Sequence, residues 1–566
     1  MGQPSRAASN ALIYYSYAAF LVFGLFIAWR LRGQSAGEWL SANRTQKAFP
    51  LALNFIASGR MEVPRDDLKQ YQALGSGILF TYPNIAALAG LHGLLVYALS
   101  SGLPLLIFAA LGPIIRRKCP EGFVLTQWTR QRYGTITSLY LSFFRLVSGG
   151  GDNASATLLT ILSCATIWLY MVAELSALQQ VVNLLTGMNG LPAVVVQCAI
   201  TTAYTAAGGF RVSFVTDNIQ GAMVLLFLIV GVITIAVTVD IDTSLIPASG
   251  YLEANMLGWQ LLYILPVAIL TNDFFLSGFW LRAFAAKTDK DLYIGVIMAA
   301  VAVTVITTLV GVSGLIAGWS GVLGMPPMPT GIELFTLLET LPAWVVGIIL
   351  VMVVTLSISA FDSLQSALIS TGSNDFFRNK IDIWWIRLIV VILIVPTVVV
   401  ALRSPSVLQV YLVSDIISAA LIPSLVIGLS SKAYFWRGFE VVVGGIGGIL
   451  SVFLFGLVYY HGDASRAGNL LVLTEGLYAE DWSAFGAFVA APIGGLLFSL
   501  AAFLGRIGVQ WAMARYRGHR FTALDRQERP EAASVPEESQ SIDGAADTSG
   551  IVCRPKNDAH ADGKFF

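Results

Sequence analysis

The sequence has 566 residues, of which 56% are hydrophobic and only 12% are charged, and its formal net charge is zero. Soluble globular proteins carry about 25% charged residues, so this composition excludes a soluble multidomain protein and indicates one large membrane domain. The balanced charge gives no indication of nucleic-acid binding. The four cysteines lie far apart, without metal or redox spacing, so no disulfide framework is expected.

Apolar stretches recur along almost the whole chain, and each can supply the about 20 apolar residues that a helix needs to cross a bilayer. They are too long and too continuous for the strands of a barrel. We therefore predict an all-α, polytopic membrane protein of about 13 transmembrane helices. The predicted spans are 11–29, 51–58 continued at 73–90, 94–115, 156–185, 191–207, 218–238, 258–280, 292–318, 341–372, 384–402, 406–430, 440–460 and 484–505.

Basic residues alternate between the links that join these spans. The sixth and eighth links carry none, and the tenth and twelfth carry only Arg403 and Arg466. By the positive-inside rule the odd-numbered links are cytoplasmic, which places the N-terminus outside and the C-terminus inside the cell. The basic residues of the odd-numbered links are Arg30, Arg32, Arg44, Lys47, Arg116, Arg117, Lys118, Arg130, Arg132, Arg211, Arg282, Lys287, Lys290, Arg378, Lys380, Lys432 and Arg437.

The chain divides by composition into two parts. Residues 1–510 form the predicted transmembrane domain. Residues 511–566 form a predicted cytoplasmic tail, whose later part is rich in Pro, Ser, Glu and Ala and lacks an apolar face. Such a composition is typical of a disordered segment.

Four carboxylates fall inside predicted spans, where a charge is costly and usually functional. They are Glu174, Asp273, Asp362 and Asp415. The alternative interpretation is that each lies near a membrane face or pairs with a neighbouring helix. For Asp217, close to a predicted cytoplasmic end, this alternative is favoured.

Two stretches have the composition of broken helices. Residues 75–83 contain Gly75, Ser76 and Gly77 before a proline, and residues 357–375 carry many hydroxyls. An interrupted helix exposes carbonyls, which together with hydroxyls make a site for a small hard cation. The alternative is close packing of helices through small residues, which also explains GGIGG at 444–448.

Several motifs carry a family resemblance that covers most of residues 11–510. The chain resembles the sodium:solute symporter family, and within it the fungal and plant urea transporter branch. The GGF and TDNIQ pair and the WLRAFAAK run are together the most specific. The matching segments are GEWLSANR, LGSGILFTYP, GPIIRRKCPEGFVLTQWTRQRYG, MVAELSALQQVV, YTAAGGFRVSFVTDNIQ, WLRAFAAKTDKDLYIG and SAFDSLQSALISTGSNDFFR.

The resemblance implies an architecture and an ion site. Ten helices would form two inverted five-helix repeats, with one helix before and two after, which agrees with the thirteen spans. Carried over by position, the sodium-binding carbonyls would be those of Ala57, Leu74 and Met352, and the hydroxyl that of Thr355. The family usually has a second hydroxyl where this chain has Leu356, and its loss weakens a sodium site.

The coupling ion is therefore either sodium or a proton, since the urea branch also includes proton-driven members. A buried carboxylate such as Asp273 or Asp362 would carry the proton, because burial favours its neutral form. Gly75, Ser76 and Gly77 would line the solute path. Aromatic residues near the predicted helix breaks, which are candidates for gating it, are Phe80, Tyr82, Phe274, Phe275 and Phe361.

Two polar stretches, 59–72 and 145–165, interrupt predicted spans. The first places six charged residues inside the first core helix, where each would cost roughly 2.5–3.5 kcal/mol. We interpret both as spurious insertions from translated introns, the alternative being a real extracellular or re-entrant insertion. On this interpretation the chain as written transports poorly, and deleting both stretches restores transport.

Taken together, these patterns predict a multi-pass plasma-membrane symporter that moves a small polar solute by alternating access. The favoured solute is urea or a related nitrogen compound, driven by protons or sodium, with no cofactor beyond that ion. The alternative is a non-transporting membrane sensor or a degenerate symporter. An enzyme is not expected, because no nucleophile elbow, metal-ligand pair or phosphate loop is evident.

Overall fold

The computed structural model describes residues 3–33, 44–58, 78–119, 125–133, 154–324, 331–375, 383–403, 407–473, 481–521 and 524. These residues are almost entirely helical. The helices are α1 (Arg6–Arg30), α2 (Ala48–Ser58), α3 (Ile78–Gly102), α4 (Leu106–Lys118), α5 (Leu125–Tyr133), α6 (Ala154–Thr186), α7 (Leu191–Thr238), α8 (Leu245–Ala248), α9 (Met256–Phe275), α10 (Ser277–Ala285), α11 (Asp289–Trp319), α12 (Glu333–Leu338), α13 (Ala343–Asp375), α14 (Ile383–Arg403), α15 (Val407–Ile427), α16 (Gly438–Tyr459), α17 (Ala464–Leu471) and α18 (Ser483–Tyr516).

Among the described residues, eight helical segments are long and apolar enough to cross a membrane, and the bent pair of α9 and α10 makes a ninth. Two of the eight are too long for one crossing. The 48 residues of α7 span about 72 Å at about 1.5 Å per residue, more than twice the about 30 Å of a hydrocarbon core. Breaks inside α3 and α7 divide them, so the described helices can be assigned in order to the thirteen predicted spans.

The breaks in α3 and α7 each occur at a glycine. Gly90 and Gly209 have φ of 63° and 65°, with ψ of −163° and −158°. This region of backbone conformation is essentially restricted to glycine. The turn at Gly90 is held from another part of the chain, since the Leu91 N–H donates to the Tyr251 carbonyl at 2.8 Å and the Asn255 side chain donates to the Leu88 carbonyl at 3.2 Å.

The helix break between α9 and α10 was not predicted. The two helices meet at Leu276, which has extended backbone, and their axes differ by 65°. In contrast, the predicted break within residues 357–375 is wrong, because α13 is one continuous helix to Asp375. Its polar side chains are buried and several bond to neighbouring helices, as described below, so the hydroxyls of this stretch do not require an interrupted backbone.

Helix α13 lies at the centre of the packing and contacts α1, α2, α6, α7, α10 and α14. A second group is formed by α15, α16 and α18. Here the predicted close packing of the GGIGG stretch is confirmed. A Cβ on Gly448 would lie 2.7 Å from both the Ala420 side chain and the Ala491 carbonyl, so only glycine allows this approach.

Three predicted boundaries are those of the tail and of the two polar stretches. Helix α18 continues to Tyr516, so the first residues of the predicted tail are helical, and the division between the two parts at residue 510 stays a prediction. Residues 59–72 lie outside the described residues. So do 145–153, whereas 154–165 form the first turns of α6. The origin of both stretches stays a prediction.

Candidate functional site

Helices α2, α7, α10 and α13 meet around Arg282, a fully enclosed cation. Its Nη2 lies 3.1 Å from the Asp217 Oδ2, and the two side chains are 2% and 0% exposed. Nε donates to the Asn54 Oδ1 at 2.5 Å, Nη1 to the Gly278 carbonyl at 2.8 Å, and Nη2 also to the Ser363 Oγ at 2.8 Å. Arg282 of α10 thus bonds to Asn54 of α2, to Ser363 of α13 and to its charge partner Asp217 of α7.

Asp217 receives further hydrogen bonds from α13. The hydroxyl of Ser359 donates to Oδ1 at 2.5 Å and that of Ser363 to Oδ2 at 2.7 Å. A buried charge is tolerated only when it is paired and hydrogen-bonded, and both conditions are met here. The favoured interpretation of Asp217, that it pairs with a neighbouring helix, is therefore confirmed.

Asp362 lies on α13, the helix of Ser359 and Ser363, and its hydrogen-bond partners differ from those of Asp217. Tyr204 donates to its Oδ2, Ser213 donates to Oδ1 at 3.0 Å, and Thr216 lies 3.3 Å from Oδ2. These three donors come from both sides of the Gly209 break in α7. The carboxylate is 0% exposed, and the hydrogen bonds found for it among the described residues all come from neutral hydroxyls.

We define the residues around these two carboxylates as the paired-acid network. Its members are Asn54, Tyr204, Ser213, Thr216, Asp217, Arg282, Ser359, Asp362 and Ser363. The network brings together one charge-paired and one hydroxyl-bound acid on facing helices. Chemically, it is suited to hold or release a small cation or a proton at Asp362 while Asp217 remains neutralised by Arg282.

Sequence reasoning missed most of this network. Arg282 was counted among the cytoplasmic loop charges, but it is buried, whereas its neighbours Lys287 and Lys290 are exposed. The signal was present in two motifs, because TDNIQ contains Asp217 and WLRAFAAK contains Arg282. Residues 65 positions apart cannot be paired from one sequence, since it does not give the register between helices.

The residues of the predicted sodium site are only partly described. Met352 and Thr355 are buried in α13, and the Thr355 hydroxyl donates to the Val351 carbonyl of its own helix at 2.8 Å. Ala57 lies in the last turn of α2. Leu74, together with Gly75, Ser76 and Gly77, lies outside the described residues. The sodium site therefore stays a prediction.

The predicted gating aromatics are all buried. Phe80 packs against Phe335 of α12 with ring centroids 4.5 Å apart. Tyr82 stacks on Tyr97 at 4.2 Å and shares a 2.6 Å hydrogen bond with Ser101. The other predicted members are Phe274, Phe275 and Phe361. Their burial is equally consistent with ordinary core packing, and their gating role stays a prediction.

The other three predicted carboxylates are on helices α6, α9 and α15. Asp273 is buried in the last turn of α9, immediately before the bend at Leu276. Glu174 is buried in α6 and Asp415 in α15. These five buried acids are thus carried by five helices, Asp217 and Asp362 by α7 and α13 and the three others by α6, α9 and α15.

Comparison with known proteins identifies the chain's relatives. It is 47% identical over 557 residues to the spermidine transporter DUR31 of Candida albicans, a match that covers 98% of this chain and 100% of the relative. The chain belongs to the sodium:solute symporter family, in the branch of the fungal and plant urea transporters. It is also 24% identical over 236 residues to the urea-proton symporter DUR3 of Oryza sativa subsp. japonica, covering 40% of this chain and 28% of that one. No family model matches the chain.

Solved structures agree with this assignment at the level of fold. A Na⁺-coupled sialic acid symporter in its substrate-bound outward-open state matches with a TM-score of 0.65 and 14% identity, covering 88% of this chain and 97% of that one. The nucleobase-cation-symport-1 transporter MHP1, in a closed conformation, matches with a TM-score of 0.50 and 14% identity over 84% and 94%. The predicted fold class, an all-α symporter core of two inverted five-helix repeats, is confirmed.

Proposed function

We propose that this protein is a proton-coupled symporter that moves a polyamine or a related small nitrogen compound across the plasma membrane by alternating access. The observation that carries this proposal is the near full-length similarity to a spermidine transporter, at 47% identity. Similarity over 98% of this chain extends across the helices of the described structure, which supports a related solute for both proteins.

Urea is the second candidate, and it is the solute favoured by the sequence motifs. It is supported by the similarity to a urea-proton symporter, which extends over 40% of this chain. The lower identity and coverage make urea the weaker candidate. The two solutes differ in charge, because amino groups of a polyamine are protonated near neutral pH whereas urea is neutral.

Asp362 is the proposed carrier of the coupling proton. Its neighbours are hydroxyls, which can hydrogen-bond either form of a carboxyl group, donating to the ionised form or accepting from the protonated one. Asp217 is unsuited to this role, because its charge balances that of Arg282 at 3.1 Å. Loss of a hydroxyl at Leu356 makes sodium the less favoured coupling ion.

Uptake of radiolabelled spermidine and urea by cells that lack their own transporters tests this proposal. We expect saturable spermidine uptake that persists without sodium and stops when the proton gradient is collapsed. Uptake of urea should be smaller, and unlabelled urea should not inhibit the uptake of spermidine. Sodium-dependent uptake would overturn the choice of ion. Absence of uptake for both solutes, despite normal surface expression, would instead favour the non-transporting sensor.

A further inference from the structure

Three buried acids outside the paired-acid network lie on three helices that contact one another. Glu174 is on α6, Asp273 on α9 and Asp415 on α15, with exposures of 0%, 3% and 0%. Helix α9 packs against α15, and α15 packs against α6. The three helices that carry these acids are distant in sequence and pack together in one region of the helix bundle.

Two hydrogen bonds define which helix faces meet there. Asn272 of α9 donates to the Tyr170 hydroxyl of α6. Thr271 of α9 and Ser418 of α15 share a hydrogen bond of 3.2 Å. These bonds show that the segment of α9 just before the bend at Leu276 lies between α6 and α15.

Each acid lies within one helical turn of these bonds. Residues three or four positions apart share a helix face, so Glu174 lies on the face of α6 that carries Tyr170. For the same reason Asp415 lies on the face of α15 that carries Ser418, whose hydroxyl also donates to the Asp415 carbonyl at 2.9 Å. Helix α9, which carries Asp273, also packs against α3, which carries Tyr82.

The decisive observation concerns Asp415. Neither of its carboxylate oxygens has a hydrogen-bond partner among the described residues, although the side chain is fully buried. Leaving a carboxylate unsatisfied inside a protein is costly, and a bound cation is one of the ways in which such a group is satisfied. An ammonium group supplies three hydrogen-bond donors and a positive charge. It therefore both hydrogen-bonds to a carboxylate and neutralises its charge.

We propose that Asp415 and Glu174 bind one ammonium group of a linear polyamine, and that Asp273 binds a second one on the side of α3. This inference rests on the proposed function and names the site that recognises the solute. A polyamine carries amino groups separated along an alkyl chain, so acids on separate helices can each receive one. The Tyr82 and Tyr97 rings, stacked at 4.2 Å, supply aromatic faces that attract cations.

The same site discriminates against urea. A neutral solute would leave the buried Asp415 carboxylate without a cation, and an unpaired charge is one way in which a site rejects a near match. Removing one acid should therefore weaken polyamine recognition more than it weakens the recognition of a neutral amide. The consequence can be measured directly as a change in preference.

The test compares the full-length wild type with Asp415→Asn and Glu174→Gln in spermidine uptake. We expect the KM for spermidine to rise at least about tenfold, which is equivalent to about 1.4 kcal/mol, with normal surface expression. The matched control is Asp242→Asn, which changes an exposed acid in a loop and should leave the KM unchanged. An Asp415→Asn variant with an unchanged KM that loses accumulation against a gradient would make Asp415 a proton carrier and overturn the proposal.

A binding measurement separates recognition from transport and from folding. Spermidine should raise the thermal unfolding temperature of the purified wild type, and the shift should be lost in folded Asp415→Asn. If that variant does not fold, Asp415→Glu, which keeps the charge, should fold and retain the shift. An equal shift in wild type and folded Asp415→Asn would overturn the proposed site.

The outcomes also distinguish this inference from the function on which it rests. If the wild type neither transports nor binds spermidine, the proposed function fails and the inference fails with it. If the wild type transports spermidine and both variants keep its KM, only the inference fails.

Discussion

The two acids of the paired-acid network differ in one respect that decides their chemistry. Asp217 has an arginine partner and Asp362 has hydroxyl partners, although Asp362 and the two serines that bond to Asp217, Ser359 and Ser363, lie within about one and a half turns of α13. A cation beside a carboxylate adds a charge that favours the ionised form, whereas hydroxyls can hydrogen-bond either the ionised or the protonated form. Removing each acid should therefore affect a different property.

Asp362→Asn should flatten the pH dependence of solute uptake, because an amide cannot exchange a proton. The measurement is the initial uptake rate across the pH range in which the wild type varies. Asp242→Asn is the matched control. Hydrogen bonds from Ser244 keep the pKa of Asp242 below its usual range, so Asp242 stays charged and its removal adds no titration. A steep pH profile in Asp362→Asn would show that the proton is carried elsewhere.

Asp217→Asn should reduce stability strongly, because it leaves the Arg282 charge buried without its partner. Breaking one side of a buried ion pair typically costs about 3–5 kcal/mol. Thermal unfolding of the purified protein in detergent measures the loss. The double variant Asp217→Asn with Arg282→Gln removes both charges and should recover part of it. A single variant as stable as the wild type would contradict the pairing.

At the scale of elements, the bounds of the helices followed from the sequence more readily than their breaks did. Apolar length predicted the spans, because a bilayer requires that length. The break at Leu276 has neither a proline nor a glycine at the bend itself, and its nearest glycine is Gly278. Residues 357–375 gave a false signal because hydroxyls that bond to carboxylates on α7 have the same composition as hydroxyls at an interrupted helix.

Gly90→Ala should destabilise the protein by about 1–3 kcal/mol, since its backbone conformation is restricted to glycine. A Cβ there would also collide with the Tyr251 carbonyl. Gly505→Ala is the matched control, because Gly505 is a helical residue with nothing within 4 Å of its Cβ position. That control should be neutral or stabilising by about 0.5–1 kcal/mol. Unfolding temperatures in detergent compare the two, and equal effects would contradict the role of the Gly90 turn.

At the scale of the molecule, the family and fold were predicted from motifs and span count, and relatives and solved structures confirm both. The pairings of the functional site were not predictable, since Tyr204 and Asp362 are 158 residues apart. The contact between them depends on the break in α7 at Gly209 and on how α7 packs against α13. The orientation in the membrane depends on loop charges alone and stays a prediction.

A tag after residue 566 should be inaccessible to antibody in intact cells and accessible after permeabilisation. The physical reason is the excess of basic residues on the predicted cytoplasmic links. A tag at the N-terminus serves as the opposite control and should be accessible in intact cells. Labelling of the C-terminal tag from outside would reverse the proposed orientation.

The enclosure of Arg282 has a consequence for how the protein is made. Its hydrogen-bond partner Ser363 follows it by 81 residues, which the ribosome needs roughly 4–16 s to add at about 5–20 residues per second. Through that interval α10 and its arginine exist before α13 is available to enclose them. Until α13 is made, the nascent chain must keep this cation solvated or paired with Asp217 alone. Correct assembly around α10 therefore depends on α13, which is synthesised later.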